Sequence, residues 1–181
     1  MANTEDKHLW VLRGEELERA FISKLAPRIG LEVCRNPEKE KDPYAPDMLI
    51  DKDRKPADLK CQRTPFFSIR KLYPYMNFDP TYTVTFNVND YERYSRDYPT
   101  IHIVFWVKWL KLEERISGEV YKVEPIHGVW RCTLSDISVM VQNLQPHRYL
   151  RRKGDTRGNA RASFPLDLRQ MTCVWCDTPS R

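Results

Sequence analysis

The sequence predicts one α/β (α+β) domain, helices packed on a central mixed β-sheet, and three features point to it. In residues 13–25 the apolar Leu17, Ala20, Phe21 and Leu25 recur at three- and four-residue steps, which is the stripe of an amphipathic helix. Residues 81–88 (TYTVTFNV) and 101–110 (IHIVFWVKWL) are rich in β-branched and aromatic side chains and read as strands. Thr133, with Asp136 three places on, has the spacing of a capping box and opens a helix over TLSDISVMVQNL.

The remaining elements follow in chain order. The first helix is expected to stop at Pro27 and Gly30. Residues 31–35 read as a short strand, NPEKEKDPYAP as a polar loop, and residues 48–50 as a second strand. After the charged turn DKDRKP, residues 57–62 alternate. That puts Asp58, Lys60 and Gln62 on one face and Leu59 and Cys61 on the other. These two strands form a hairpin. A short helix over residues 90–96 joins the two apolar strands, the second of which is central in the sheet. Residues 119–123 and 128–132 are expected to pair as a peripheral hairpin, and residues 148–161, with Gly154 and Gly158, form a loop.

Length and composition narrow the function. With 181 residues, 41% hydrophobic and 30% charged, the chain fits one domain with a buried core, which excludes disorder throughout. Its 6 glycines form neither GxGxxG nor GxxxxGK, so dinucleotide-binding and phosphate-loop readings fall away. GxSxG and HExxH are also absent, and His8, His102, His127 and His147 lie too far apart for a local zinc motif. The N-terminal MANTEDKHLW is polar, and the longest apolar run, residues 101–110, is interrupted by His102 and Lys108. No membrane span and a cytoplasmic location are therefore expected. Cys34, Cys61, Cys132, Cys173 and Cys176 are an odd, scattered set that suits reduced thiols. Cys173 and Cys176 are half a zinc site at best, and buried thiols are expected there. The net charge of +5 lies wholly in residues 148–161, where Arg148, Arg151, Arg152, Lys153, Arg157 and Arg161 face one acid, Asp155. That segment is either a phosphate clamp or a solvated charge run.

The stretch PDMLIDKDRKPADLKCQ carries the chemistry. Asp47 starts one strand, and Asp58 and Lys60 sit two apart on the next, so period two puts the latter pair on one face. Carboxylates brought together by the hairpin suit a hard divalent cation, and an adjacent ammonium suits an attacking water or the charge of a pentavalent phosphate.

Pro46, Asp47, Asp58, Leu59 and Lys60 together resemble the motif of the PD-(D/E)XK nuclease superfamily. Gly14, Leu17, Glu18 and Arg19 resemble the early Gly-x-x-aromatic-Glu-Arg helix of its Holliday-junction-resolvase-like and restriction-endonuclease-like members, with Leu17 in the aromatic place. The resemblance covers about residues 13–110 as an αβββαβ core and leaves residues 111–181 unexplained. It implies a Mg²⁺- or Mn²⁺-dependent endonuclease, with DNA the expected substrate. Glu18, Asp47 and Asp58 would be the metal ligands, Lys60 would act on the nucleophile, and Gln62 would take the polar place that follows the lysine. The alternative on the same fold is a nucleic-acid-binding module that does not cut. A homodimer is plausible, because duplex cutting by one small site calls for two subunits.

Plainer roles stay open for the same residues. Asp47 fits a turn cap, Asp58 and Lys60 a solvated edge-strand pair, and Glu18 a partner of Arg19 or Lys24. Arg63, Arg70 and Lys71, interleaved with aromatics in RTPFFSIRKLYPYMNF, suit contact with nucleic acid, while Phe66, Phe67 and Phe78 suit the core equally well.

Overall fold

The first helix, α1 (Lys7–Ala20), runs without a break into a π-helical turn (Phe21–Leu25) and a final turn, α2 (Ala26–Arg28). Pro27 has no N–H to offer the turn before it, and a widened turn is one way a helix absorbs that loss. The helix therefore passes Pro27 and ends at Gly30, whose φ of 71° is left-handed, while Leu31 N donates to Ala26 O at 2.9 Å. This computed structural model describes residues 7–148 and 162–177.

Next come β1 (Val33–Arg35), a one-turn 3₁₀ helix (Pro37–Glu40), β2 (Met48–Ile50) and β3 (Lys55–Gln62), which form an antiparallel meander. Then follow α3 (Ile69–Leu72), β4 (Thr83–Asn87), α4 (Val88–Asp97) and β5 (His102–Lys108), with β5 parallel to β3. A hairpin of β6 (Glu113–Ile116) and β7 (Glu119–Lys122) projects before β8 (His127–Thr133) and α5 (Leu134–Val141). The chain closes with β9 (His147–Arg148), β10 (Ala162–Asp167) and β11 (Thr172–Cys176). The central sheet is mixed and six-stranded, in the order β1-β2-β3-β5-β8-β11.

The single sheet expected from sequence is divided. Residues 83–87 pair with β10 in a second sheet, β4-β10-β9, because their partner lies beyond residue 160, out of reach of local pattern. The predicted hairpin of residues 119–123 with 128–132 also does not form. Glu119–Lys122 pairs with Glu113–Ile116, and β8 joins β5 in the core sheet. The capping box forms as expected, with Asp136 N donating to Thr133 Oγ1 at 3.1 Å and Thr133 N to Asp136 Oδ2 at 2.8 Å.

Both faces of the central sheet are covered. On one, Ile103, Phe105 and Val107 of β5 pack with Phe86, Tyr94, Ile137 and Leu166 from β4, α4, α5 and β10. On the other, Leu59 and Val104 pack with Phe21 of the π-helical turn, Met48 and Val129. Among the described residues no helix is long and apolar enough to cross a membrane.

Two predictions concern stability. A Cβ at Gly128 would lie 2.7 Å from Trp175 O and 2.6 Å from the Trp130 ring. Gly128→Ala is therefore expected to lower unfolding free energy by about 1–3 kcal/mol in urea titrations, as overpacking does. Burial, then the charge of Arg131, holds the His102 imidazole below its ordinary value of 6.5, and its buried Nδ1 has no hydrogen-bond partner among the described residues. The unfolded chain thus takes up that proton more readily, so stability falls as pH drops through and below 6.5. His102→Gln is expected to flatten this fall in urea midpoints measured between pH 7 and pH 5.

Candidate functional site

The register of β3 on β5 settles where the predicted site residues point. Asp58 pairs with Ile103, Lys60 with Phe105 and Gln62 with Val107, all on the face covered by β4 and α4. Leu59 pairs with Val104 and Cys61 with Trp106, on the face covered by α1 and the π-helical turn. The alternation read from sequence is present. What differs is the company: Glu18 sits on α1, over the face opposite to Asp58 and Lys60. The expectation that the hairpin gathers Glu18, Asp47, Asp58 and Lys60 into one site is therefore not met, and β3 separates them into two clusters.

The first cluster lies between α1 and the start of β2. Lys39, on the 3₁₀ turn, places Nζ 3.0 Å from Glu18 Oε2 and donates to Asp47 Oδ1 as well. Asp47 Oδ2 accepts from Leu59 N at 3.1 Å, which holds the carboxylate where β2 leaves the β3 ladder. The side chains of Glu18, Asp47 and Lys39 are 12%, 16% and 20% exposed, so the group is sheltered but reachable. Asn36 caps the 3₁₀ turn by accepting from Glu38 N at 3.1 Å and anchors it by donating to Pro46 O at 3.0 Å.

This cluster opens into a cleft of about 1200 Å³ that also exposes Arg19, Arg35, Arg63, Cys61 and Leu110. None of the three arginines has an ion-pair partner among the described residues. The Arg63 guanidinium lies over the Trp106 ring at 4.7 Å, and Leu110 N donates to Arg63 O at 2.9 Å. Burial pushes the Cys61 thiol up to about 12, so it faces the cleft as a neutral thiol and not as a nucleophile.

The second cluster is buried only at Asp58; the side chains of Lys60, Asp90 and Arg93 are 24%, 21% and 26% exposed. Lys60 Nζ lies 2.7 Å from Asp58 Oδ2, an ionic contact outside hydrogen-bond alignment, and 2.6 Å from Asp90 Oδ2. Arg93 closes the network on Asp90 Oδ1 at 3.1 Å and on the Tyr94 hydroxyl at 2.8 Å. Asp58 is 4% exposed. Burial pulls the Lys60 ammonium down, but the Asp58 charge, reinforced by Tyr94 and Asp90, outweighs it and holds Lys60 well above its ordinary value. Gln62 is also engaged, donating from Nε2 to Thr85 O at 2.6 Å and accepting from Thr85 N at 3.1 Å, which ties β3 to β4.

The expected nucleic-acid contacts are spread out. Arg70 and Lys71 lie exposed on α3, and Arg70 Nε donates to Phe78 O at 3.2 Å. Arg148 ends β9, while Arg151, Arg152, Lys153, Arg157 and Arg161 lie outside the described residues. Of the aromatics between them, Phe67 and Phe78 belong to the core and Tyr75 is 99% exposed. Cys173 is exposed and Cys176 half-buried, so buried thiols are not what β11 presents. Among the described residues no three His, Cys, Asp or Glu side chains group to hold a metal.

Sequence reasoning missed Lys39, Asp90 and Arg35, and singled out Arg19 only within the helix motif and as a partner for Glu18. Asn36-Pro37 carries the signature of a capped turn, which marks the 3₁₀ helix but not which of its lysines turns inward. No family model, curated protein or solved structure matches the chain. The resemblance to nucleases rests on its residues and their order alone.

The clusters differ in what removal of one member should cost. Lys60→Met leaves the buried Asp58 carboxylate beside Asp90 without its ammonium and is expected to cost about 3–5 kcal/mol in urea unfolding. Glu18→Gln, at a partly exposed site with Asp47 still beside Lys39, is expected to stay within about 1 kcal/mol of the parent. Equal losses would mean that the two clusters do not divide structural from exchangeable charge.

Proposed function

We propose that the chain is a metal-dependent phosphodiesterase acting on nucleic acid, with DNA the expected substrate, and that its site is the Glu18–Asp47 pair. One observation carries this reading: two carboxylates remote in sequence converge on a single cation in a cleft edged by arginines that have no acid partner among the described residues. The donor set is oxygen only, which suits Mg²⁺ or Mn²⁺ and leaves further positions for water. Bound there, such an ion supplies Lewis-acid polarisation of a phosphoryl oxygen and a more acidic water. Glu18 and Asp47 hold it, and the Leu59 N–H keeps Asp47 oriented. Arg19, Arg35 and Arg63 meet backbone phosphates, positioning the strand without reading its bases. Asp58, Lys60 and Gln62 brace β3 against α4 and β4 and act on the site through that strand. The helix that carries Glu18, the β1–β3 meander and the return through α4 to β5 stand in the order the resemblance implies, with α3 and β4 inserted between β3 and α4. The five free cysteines suit a reducing compartment such as the cytoplasm, and duplex cutting would take two copies.

A second reading, a binding module that does not cut, draws on a specific observation: β3 turns Leu59 and Cys61, not an acid, toward the cleft.

Labelled DNA and RNA in duplex, branched and single-stranded form, incubated with Mg²⁺ or Mn²⁺, distinguish the two. Glu18→Gln and Asp47→Asn are each expected to slow cleavage by about 100-fold or more while binding in Ca²⁺ persists. Binding by the parent protein without cleavage of any form would favour the second reading. Replacing Arg19, Arg35 and Arg63 together by alanine is expected to flatten the slope of log affinity against log salt by up to about 0.9 per lost duplex contact. An unchanged slope would move the interface elsewhere.

A further inference from the structure

We propose that Lys39 is a resident cation that divalent-metal binding evicts, so that one event both loads the metal and delivers an ammonium to the incoming phosphate. This rests on the reading of Glu18 and Asp47 as the metal pair and adds how that pair is guarded.

The geometry makes the two cations competitors. Asp47 has one oxygen committed to the Leu59 N–H, and its other oxygen is the one Lys39 holds together with Glu18 Oε2. A dication on that second oxygen would sit within hydrogen-bond range of the ammonium, where like charges in a sheltered site repel strongly. The lysine is also built to leave. Its turn is pinned at Asn36, through Pro46 O and Glu38 N, so the backbone has no need to move. The flexible four-carbon stem and partial exposure of Lys39 let the ammonium swing into the cleft.

Formal charge gives the exchange a consequence. Glu18, Asp47 and Lys39 together carry one negative charge, which repels a phosphodiester. With a dication added and Lys39 still nearby the group carries one positive charge, which one phosphodiester balances. Metal loading therefore precedes engagement of the phosphate at this site.

The test follows the amine itself. The protein is pulsed with an acetylating N-hydroxysuccinimide ester with and without Ca²⁺ or Mn²⁺, and acetylation of Lys39 is read by peptide mass spectrometry against the exposed Lys41 and Lys52 as internal references. Metal is expected to speed labelling of Lys39 several-fold and leave the references unchanged. In parallel, calorimetric titration of Mn²⁺ into Lys39→Met is expected to show roughly tenfold tighter binding than the parent, because the competitor is gone. Labelling that does not respond to a metal that does bind overturns eviction whatever Lys39→Met shows, and leaves the metal pair standing. Equal affinity in parent and variant also overturns eviction alone. Failure of both proteins to bind metal overturns the Glu18–Asp47 metal site and eviction with it.

Discussion

The parallel pairing of β3 with β5 is the constraint on which the rest of the structure depends. Between its end residues His102 and Lys108, β5 is apolar and covered on both faces, so each β3 residue inherits the surroundings of the β5 residue beside it. Asp58, next to Ile103, and Lys60, next to Phe105, enter a hydrophobic layer in which an unpaired charge would be costly. They meet each other and the acid at the start of α4, and the cost is offset inside the protein. Leu59 and Cys61 are left to face α1.

Two lysine-bridged carboxylate pairs result, one on each side of the same strand, and they differ in the properties that decide what each can do. The pair around Lys60 is completed by Arg93, is formally neutral and is anchored on the buried Asp58, so loss of Lys60 strands a carboxylate in the core. The pair around Lys39 is one positive charge short, borders a cleft, and is held by a side chain from a surface turn. On the reading proposed above, the second is the one that trades its cation. Net charge and the burial of Asp58, not residue type, separate the two groups.

The cleft adds direction to that site. Arg63 follows directly on the last residue of β3, its carbonyl tied to Leu110 and its guanidinium laid on Trp106, so a cationic group stands at a set place relative to Asp47. The π-helical turn contributes from below, because Phe21 packs tilted against Trp106 and joins the helix that carries Glu18 to the strand that carries Arg63's platform.

Much of the local structure was determined by sequence alone. Period-two alternation in residues 57–62, the apolar run that becomes β5, the Thr133–Asp136 cap and the helix stripe through Phe21 all express short-range backbone and burial rules, and each appears in the fold. Sequence also marked Glu18 and Asp47, which do converge. Only tertiary structure decided which face of β3 meets which helix, because alternation divides side chains into two sets without naming the partner of either. It also decided that β4 leaves the central sheet for β10, a pairing across about 80 residues that no local pattern encodes. Lys39 shows the same limit at the scale of one side chain. In NPEKEKDP it is one lysine among alternating charges, and it becomes distinctive only where the packing of α1 against the sheet brings two carboxylates within reach of its ammonium.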